Sequence, residues 1–165
     1  MSSDFDDLLA ANRAFADNFA LSGFDGIAKA GIAIVTCMDS RLDPLGMLGL
    51  KPGDAKIVRN PGGQVDDKVL EAMVLSVHLL NVNRILVIPH TRCAMASSTQ
   101  DQVRQRVTDS SGVDASWQKF SVVADQHATL RDDVHRIRVH PLIPESVAIG
   151  GFLYDVDSGL LDQVV

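Results

Sequence analysis

Gly31-Ile-Ala-Ile-Val-Thr36 is a short, unbroken apolar run rich in β-branched residues, with Cys37 directly behind it. A run that is apolar at both alternating positions fits a strand buried on both faces. Arg84-Ile-Leu-Val-Ile-Pro89 repeats the pattern, and Ala55-Lys-Ile-Val58 is a shorter version of it. Between them, Val69, Met73, Val74, Val77 and Leu80 form a stripe behind an acidic start, which predicts a helix over 66–80. Strands alternating with helices imply βαβ units, here a three-layer α/β/α fold around a mainly parallel central sheet. Ligands of such sheets sit beyond the carboxyl ends of the strands.

Outward from these strands the pattern is consistent. Residues 3–21 read as an amphipathic helix whose stripe contains Phe5, Leu8, Leu9, Phe15 and Phe19. That stripe has two readings, packing on its own domain or lying on a partner subunit. Asp43-Pro44 opens a short helix ending at Leu48, and Asn60-Pro-Gly-Gly63 is a tight loop. Residues 97–108 and 121–139 read as helices, and 147–156 as a last strand, turned back by Asp157-Ser-Gly159. The whole of 1–165 is expected to form a single domain.

With 165 residues and 46% apolar composition, the chain can bury a core of roughly 70% of its unfolded surface. A net charge of −6 argues against a nucleic-acid or anionic-membrane binder, since both need a basic footprint. Two cysteines are too few for a disulfide scaffold, and no apolar run approaches the roughly 18 residues of a membrane span. Asp4, Asp6 and Asp7 give the N-terminus the wrong charge for a signal or transit peptide, so a cytoplasmic location is expected. A mean hydropathy of +0.11 with few aromatics points to apolar surface buried in an oligomer.

Chemistry concentrates at two strand ends. Cys37 ends the first strand in Thr36-Cys-Met-Asp-Ser-Arg41, and His90-Thr-Arg-Cys93 follows the third. Adjacent strand ends would bring together two thiolates and one imidazole, zinc's preferred donors, with His90-x-x-Cys93 supplying two of them from one loop. No third cysteine exists to close a structural site. The fourth position therefore falls to water, substrate or a carboxylate. Asp39 is the nearest carboxylate in the chain, and Arg41 can pair with it and hold it off the metal. A Cys-x5-Arg phosphatase loop fails, since position 43 is Asp43, and there is no Cys-x-x-Cys. Gly62 and Gly63 make neither a dinucleotide nor a P-loop fingerprint.

Cys37-Met-Asp-Ser-Arg41, Arg59-Asn-Pro-Gly62 and His90-Thr-Arg-Cys93 together resemble the β-class carbonic anhydrases, in the family's order and approximate spacing. The short length resembles the compact bacterial branch. The resemblance implies Zn2+ held by Cys37, His90 and Cys93, with Asp39 and Arg41 as the catalytic dyad. In an open form, Arg41 pairs with Asp39 and a zinc-bound hydroxide attacks CO2 to give bicarbonate. In a closed form, Asp39 becomes the fourth ligand. It also implies a homodimer that can pair into tetramers, with the N-terminal helix reaching over the partner subunit. Carbonyl sulfide and carbon disulfide hydrolases use the same scaffold and are the alternative, followed by a closed zinc or thiol sensor or a structural dimer.

Three positions depart from the family pattern: Pro61, Arg92 and Ala94. Ala94 is expected to strain a glycine-favoured turn, and Arg92 to offer Asp39 a rival partner. His78 reads as a satisfied core or interface histidine. His127 and His135 are eight apart, not the four that suits a metal pair on a helix, and His140 marks a helix end before Pro141. Trp117 and Tyr154 read as packing residues.

Overall fold

All six residues of the first strand, β1 (Ile32–Cys37), are buried. This is what a run apolar at every position requires of its surroundings. The protein is described by a computed structural model covering residues 4–165. On one side β1 pairs in parallel with β2 (Ala55–Asn60), on the other with β3 (Arg84–Ile88). Beyond β3 lies β4 (Ala148–Tyr154), also parallel, and then β5 (Leu161–Gln163), antiparallel, giving the order β2-β1-β3-β4-β5. The chain leaves β1 toward one edge and leaves β3 toward the other. Their carboxyl ends therefore flank the topological switch point of the sheet.

The helices are α1 (Asp6–Ala16), α2 (Asp67–Leu79), α3 (Gln100–Ser111) and α4 (Gln126–Arg138). From α2, Val69 and Met73 pack with Leu130, Val134 and Ile137 of α4 over Ala33, Val35, Ile85 and Val87 of the sheet. The opposite pleat carries Ile32, Ile34 and Ile88, covered by Met47, Leu48, Leu50 and the aromatic rings of Phe152 and Tyr154. Helix starts follow side-chain caps: Asp66 accepts from the Val69 N–H, and Asp125 from the Ala128 N–H.

Several boundaries differ from the sequence reading, and capping explains most of them. The helix expected over 97–108 begins at Gln100, because Thr99 and Gln102 form a reciprocal capping box, and it ends against Gly112 at φ 71°. The helix expected from 121 begins only after the Asp125 cap. The short helix after Asp43 is a 3-10 turn over Gly46–Leu48. The first helix stops at Ala16, and Asp17 and Asn18, poor interior helix residues, lie past its end; position 3 lies outside the described residues.

Helix α1 buries none of its residues, so the reading in which it packs on its own domain is overturned. Its stripe is open to solvent: Leu8 is 62% exposed and Phe15 64%. A further expectation fails: Trp117 is not a packing residue but 76% exposed. His78 is satisfied, with Nε2 2.7 Å from the Leu142 carbonyl, but it is exposed on this chain and so is not a core residue.

Asp133 of α4 is buried, and that burial pushes its carboxyl above the usual range despite a hydrogen bond from the Val65 N–H. Arg136 offsets part of this, while Asp132 and Asp66 add to it. An acid with a raised folded pKa costs stability as pH climbs from its unfolded value, about 4, through its folded value, and the full cost persists above that. Asp133→Asn keeps an acceptor for Val65 and removes the charge. Thermal unfolding should show a midpoint raised by a few degrees at pH 7, with the gain shrinking toward pH 4. An equal gain at both values would show that charge burial is not the cause.

Candidate metal centre

The register places Thr36 of β1 opposite Ile88 of β3, so Cys37 lies beside the loop that carries His90 and Cys93. A hydrogen bond from Thr36 Oγ1 to the Ile88 carbonyl (2.6 Å) locks the two strand ends together. Donor atoms of Cys37, His90 and Cys93 all lie within 4.8 Å of one another, and the three side chains are 5%, 0% and 3% exposed. Among the described residues this is the one cluster of three such side chains able to hold a metal ion.

The imidazole's tautomer follows from its partner. His90 Nδ1 lies 2.8 Å from the Thr91 carbonyl, which can only accept, so Nδ1 carries the proton. Nε2 then presents a bare lone pair, and it is the one fully buried side-chain N or O atom without a hydrogen-bond partner among the described residues. Burial pushes the His90 pKa down, toward the neutral form that ligates metals. A buried orphan nitrogen costs about 1–3 kcal/mol unless something satisfies it. The donor set, soft sulfur and neutral imidazole within 4.8 Å of one another, fits zinc.

The thiols are provided for unequally. The Gly62 N–H donates to Cys37 Sγ at 3.3 Å. Burial pushes the Cys93 thiol up and the nearby Cys37 pushes it further, while the Met95 and Ala96 N–H groups oppose this. Bringing Gly62 that close requires the chain to fold flat against β1. Gly63, at φ 66°, packs so tightly that a Cβ would sit 3.0 Å from the Cys37 nitrogen and the Thr36 carbonyl carbon. Pro61 opens this 3-10 turn, where its fixed φ is an advantage and its missing N–H no loss.

Asp39 and Arg41 stand at the mouth of a cleft of about 450 Å³ that reaches Cys37, Gly62 and Cys93. Arg41 Nε donates to Asp39 Oδ1 at 2.9 Å and Nη2 to Oδ2 at 2.7 Å, a two-pronged pair. The Arg41 backbone N–H adds a third bond to Oδ1 at 2.9 Å. These bonds hold the Asp39 carboxyl far below the usual carboxylate range. Oδ2 lies 3.7 Å from His90 Nε2, beyond hydrogen-bonding distance.

Three residues that the chemical reading left without a role hold this arrangement in place. Arg59 donates to the carbonyls of Cys37 (2.8 Å), Asp39 (2.5 Å) and Leu42 (3.5 Å), pinning the loop that carries the pair. The Asn60 amide closes the following turn onto the Gln64 backbone at both ends. Gln126 of α4 donates to the His90 carbonyl at 2.8 Å. Arg59 and Asn60 belong to the quoted Arg59-Asn-Pro-Gly62 block; Gln126 stands alone and carried no signal. Two expectations are corrected. Arg92 does not compete for Asp39: its guanidinium pairs with Asp157 at 2.5 Å. Ala94 does not sit in the left-handed region; Arg92 does, at φ 54°, where a residue with a Cβ is disfavoured by about 1 kcal/mol.

Comparison with known proteins finds similar sequences and the same fold elsewhere. A family model described as carbonic anhydrase matches residues 32–161. The chain is 36% identical over 163 residues to beta-carbonic anhydrase 1 of Mycobacterium tuberculosis, covering 96% of each chain. It is 32% identical over 169 residues to a carbon disulfide hydrolase of Saccharolobus solfataricus, covering 86% of this chain and 81% of that one. The crystal structure of a carbonic anhydrase from Streptococcus mutans superposes with a TM-score of 0.87 at 38% identity, over 100% of this chain and 99% of that one.

Proposed function

Because the chain belongs to the β-class carbonic anhydrase family, we propose that it is a zinc enzyme, folded as one domain, that interconverts CO2 and bicarbonate. The observation that carries this reading is the bare, buried Nε2 of His90 facing two thiols beside a restrained carboxylate. Cys37, His90 and Cys93 would hold the ion. Bound there, zinc would supply the Lewis acidity that lets water react as a nucleophile near neutral pH.

The protein's own groups do the rest. Two thiolates would offset the ion's charge, and the Gly62 N–H spreads the charge on Cys37 Sγ. Asp39, ionised at any working pH, is too acidic to keep a proton; beyond the three bonds from Arg41 its oxygens can accept one more and orient the group that donates it. Arg41 occupies the far side of that carboxylate and keeps it turned toward its own guanidinium. The apolar part of the cleft, with Met38, Pro61 and Met95, suits a small uncharged substrate. The exposed stripe of α1 supports a homodimer in which this helix lies across the partner subunit, since a lone chain rarely leaves so much contiguous apolar surface in water.

The carbon disulfide hydrolase relative supports a second reading, attack on CS2 or carbonyl sulfide at the same centre. Stopped-flow CO2 hydration on protein of known zinc content decides between them. Turnover is expected to depend on zinc and to rise across about pH 6.5 to 9, the range in which a zinc site of this kind would make water a nucleophile. A fully loaded protein silent toward CO2 but active on CS2 would establish the second reading, and silence toward all three gases would defeat both.

A further inference from the structure

We infer that Arg92 and Asp157 form a strap that positions Arg41, and through Arg41 governs how firmly Asp39 is kept away from the site faced by His90 Nε2. The inference rests on the zinc reading above and concerns two residues that reading does not use. Arg41 Nη2 has two hydrogens. One goes to Asp39 Oδ2 at 2.7 Å and the other to the Arg92 carbonyl at 3.3 Å. Among the described residues the Arg92 carbonyl is thus the one acceptor outside Asp39 that aims the guanidinium.

The direction of that carbonyl depends on the left-handed backbone of Arg92, at φ 54°, a conformation uncommon for a residue with a Cβ. Something must hold it there, and the neighbouring turn does. The Asp155 carboxylate accepts from the N–H groups of Asp157 and Ser158, both at 2.8 Å, and the Gly159 N–H closes the turn on the Asp155 carbonyl. Asp157 is therefore presented by a preset turn, and its Oδ1 takes Arg92 Nη2 at 2.5 Å. Two further ties join the same loops: the Thr91 N–H to the Tyr154 carbonyl (2.9 Å) and the Val156 N–H to Thr91 Oγ1 (3.1 Å). The ion pair is exposed, with side chains 59% and 64% accessible, so it tunes the position of Arg41 rather than fixing it.

The test uses cobalt(II)-loaded protein, whose visible spectrum reports azide binding at an open metal position without any turnover. Asp157→Asn should weaken azide binding about three- to fivefold, the scale of one exposed ion pair, at unchanged cobalt content. Asp157→Glu should restore most of it. Arg92→Asn, which tolerates the left-handed backbone, should give the same loss, and the double variant no more than either alone. The difference should fade in high salt, which a purely structural role would not do. Azide affinity in Asp157→Asn equal to that of the parent, or losses that add, would overturn the strap. If the parent chain itself takes up no cobalt, the metal reading fails and the strap with it; if the parent binds cobalt and azide and the variant matches it, only the strap fails.

Discussion

Cys93→Ala is expected to abolish stoichiometric zinc binding and to lower CO2 hydration by at least ~10³-fold, about 4 kcal/mol of transition-state stabilisation. The centre has three donors, all buried, and the Asp39 carboxylate, with Oδ2 3.7 Å from His90 Nε2, is held by Arg41. Two remaining donors do not make a zinc site. The fold should survive, because Cys93 is a small buried group among Leu42, Cys37 and Met95, and alanine leaves a modest gap. Removing the thiol also removes the need to ionise one in a buried place, where burial pushes the Cys93 pKa up. In the parent protein that raised pKa means that metal uptake must expel a proton, so zinc affinity should weaken as pH falls. Metal analysis, circular dichroism and stopped-flow hydration on the same sample provide the check. A Cys93→Ala protein that keeps one zinc per chain and near-parental turnover would show that the ion, if used, is held elsewhere.

The legible part of this protein is the part written in residue type and short spacing. β1 and β3 were readable because parallel strands covered on both faces must be apolar throughout. The placement of Cys37 and His90-x-x-Cys93 followed, since the residue after a buried strand lies at a carboxyl edge wherever the strand sits in the sheet. The strand order was not readable from single segments. Only the pairing of β1 with both β2 and β3 makes this edge the switch point. The starts of α3 and α4 were read three and five residues early, because the Thr99 and Asp125 caps sit inside polar stretches that resemble helix interior. Arg92 was misjudged for a physical reason of the same kind. Its partner, Asp157, is 65 residues away, and its backbone conformation leaves no mark in the sequence. The same holds for Gln126 and the His90 carbonyl, 36 residues apart.

Arg41→Ala is the second substitution with a large expected effect: CO2 hydration near pH 7 should fall roughly 100-fold, about 3 kcal/mol, while zinc content stays at one per chain. Asp39 Oδ2 already lies 3.7 Å from His90 Nε2, and what keeps it there is a two-pronged grip that a methyl group cannot replace. Released, the carboxylate is free to turn toward the site that His90 faces and to compete for its open position. Arg41→Lys should recover only part of the loss, because an ammonium offers a charge without the planar fork. Acid sensitivity supplies a second sign. Arg41 holds the folded pKa of Asp39 well below its unfolded value, so this pair's contribution to stability is complete above about pH 4 and is lost as pH falls below it. Arg41→Ala should therefore destabilise the metal-free protein at neutral pH and converge with the parent in strong acid. Cobalt-loaded Arg41→Ala should also bind azide far more weakly than the parent. Parental turnover and parental azide affinity in this variant would mean that Asp39 is kept off the metal by the loop that Arg59 pins, and not by its ion pair.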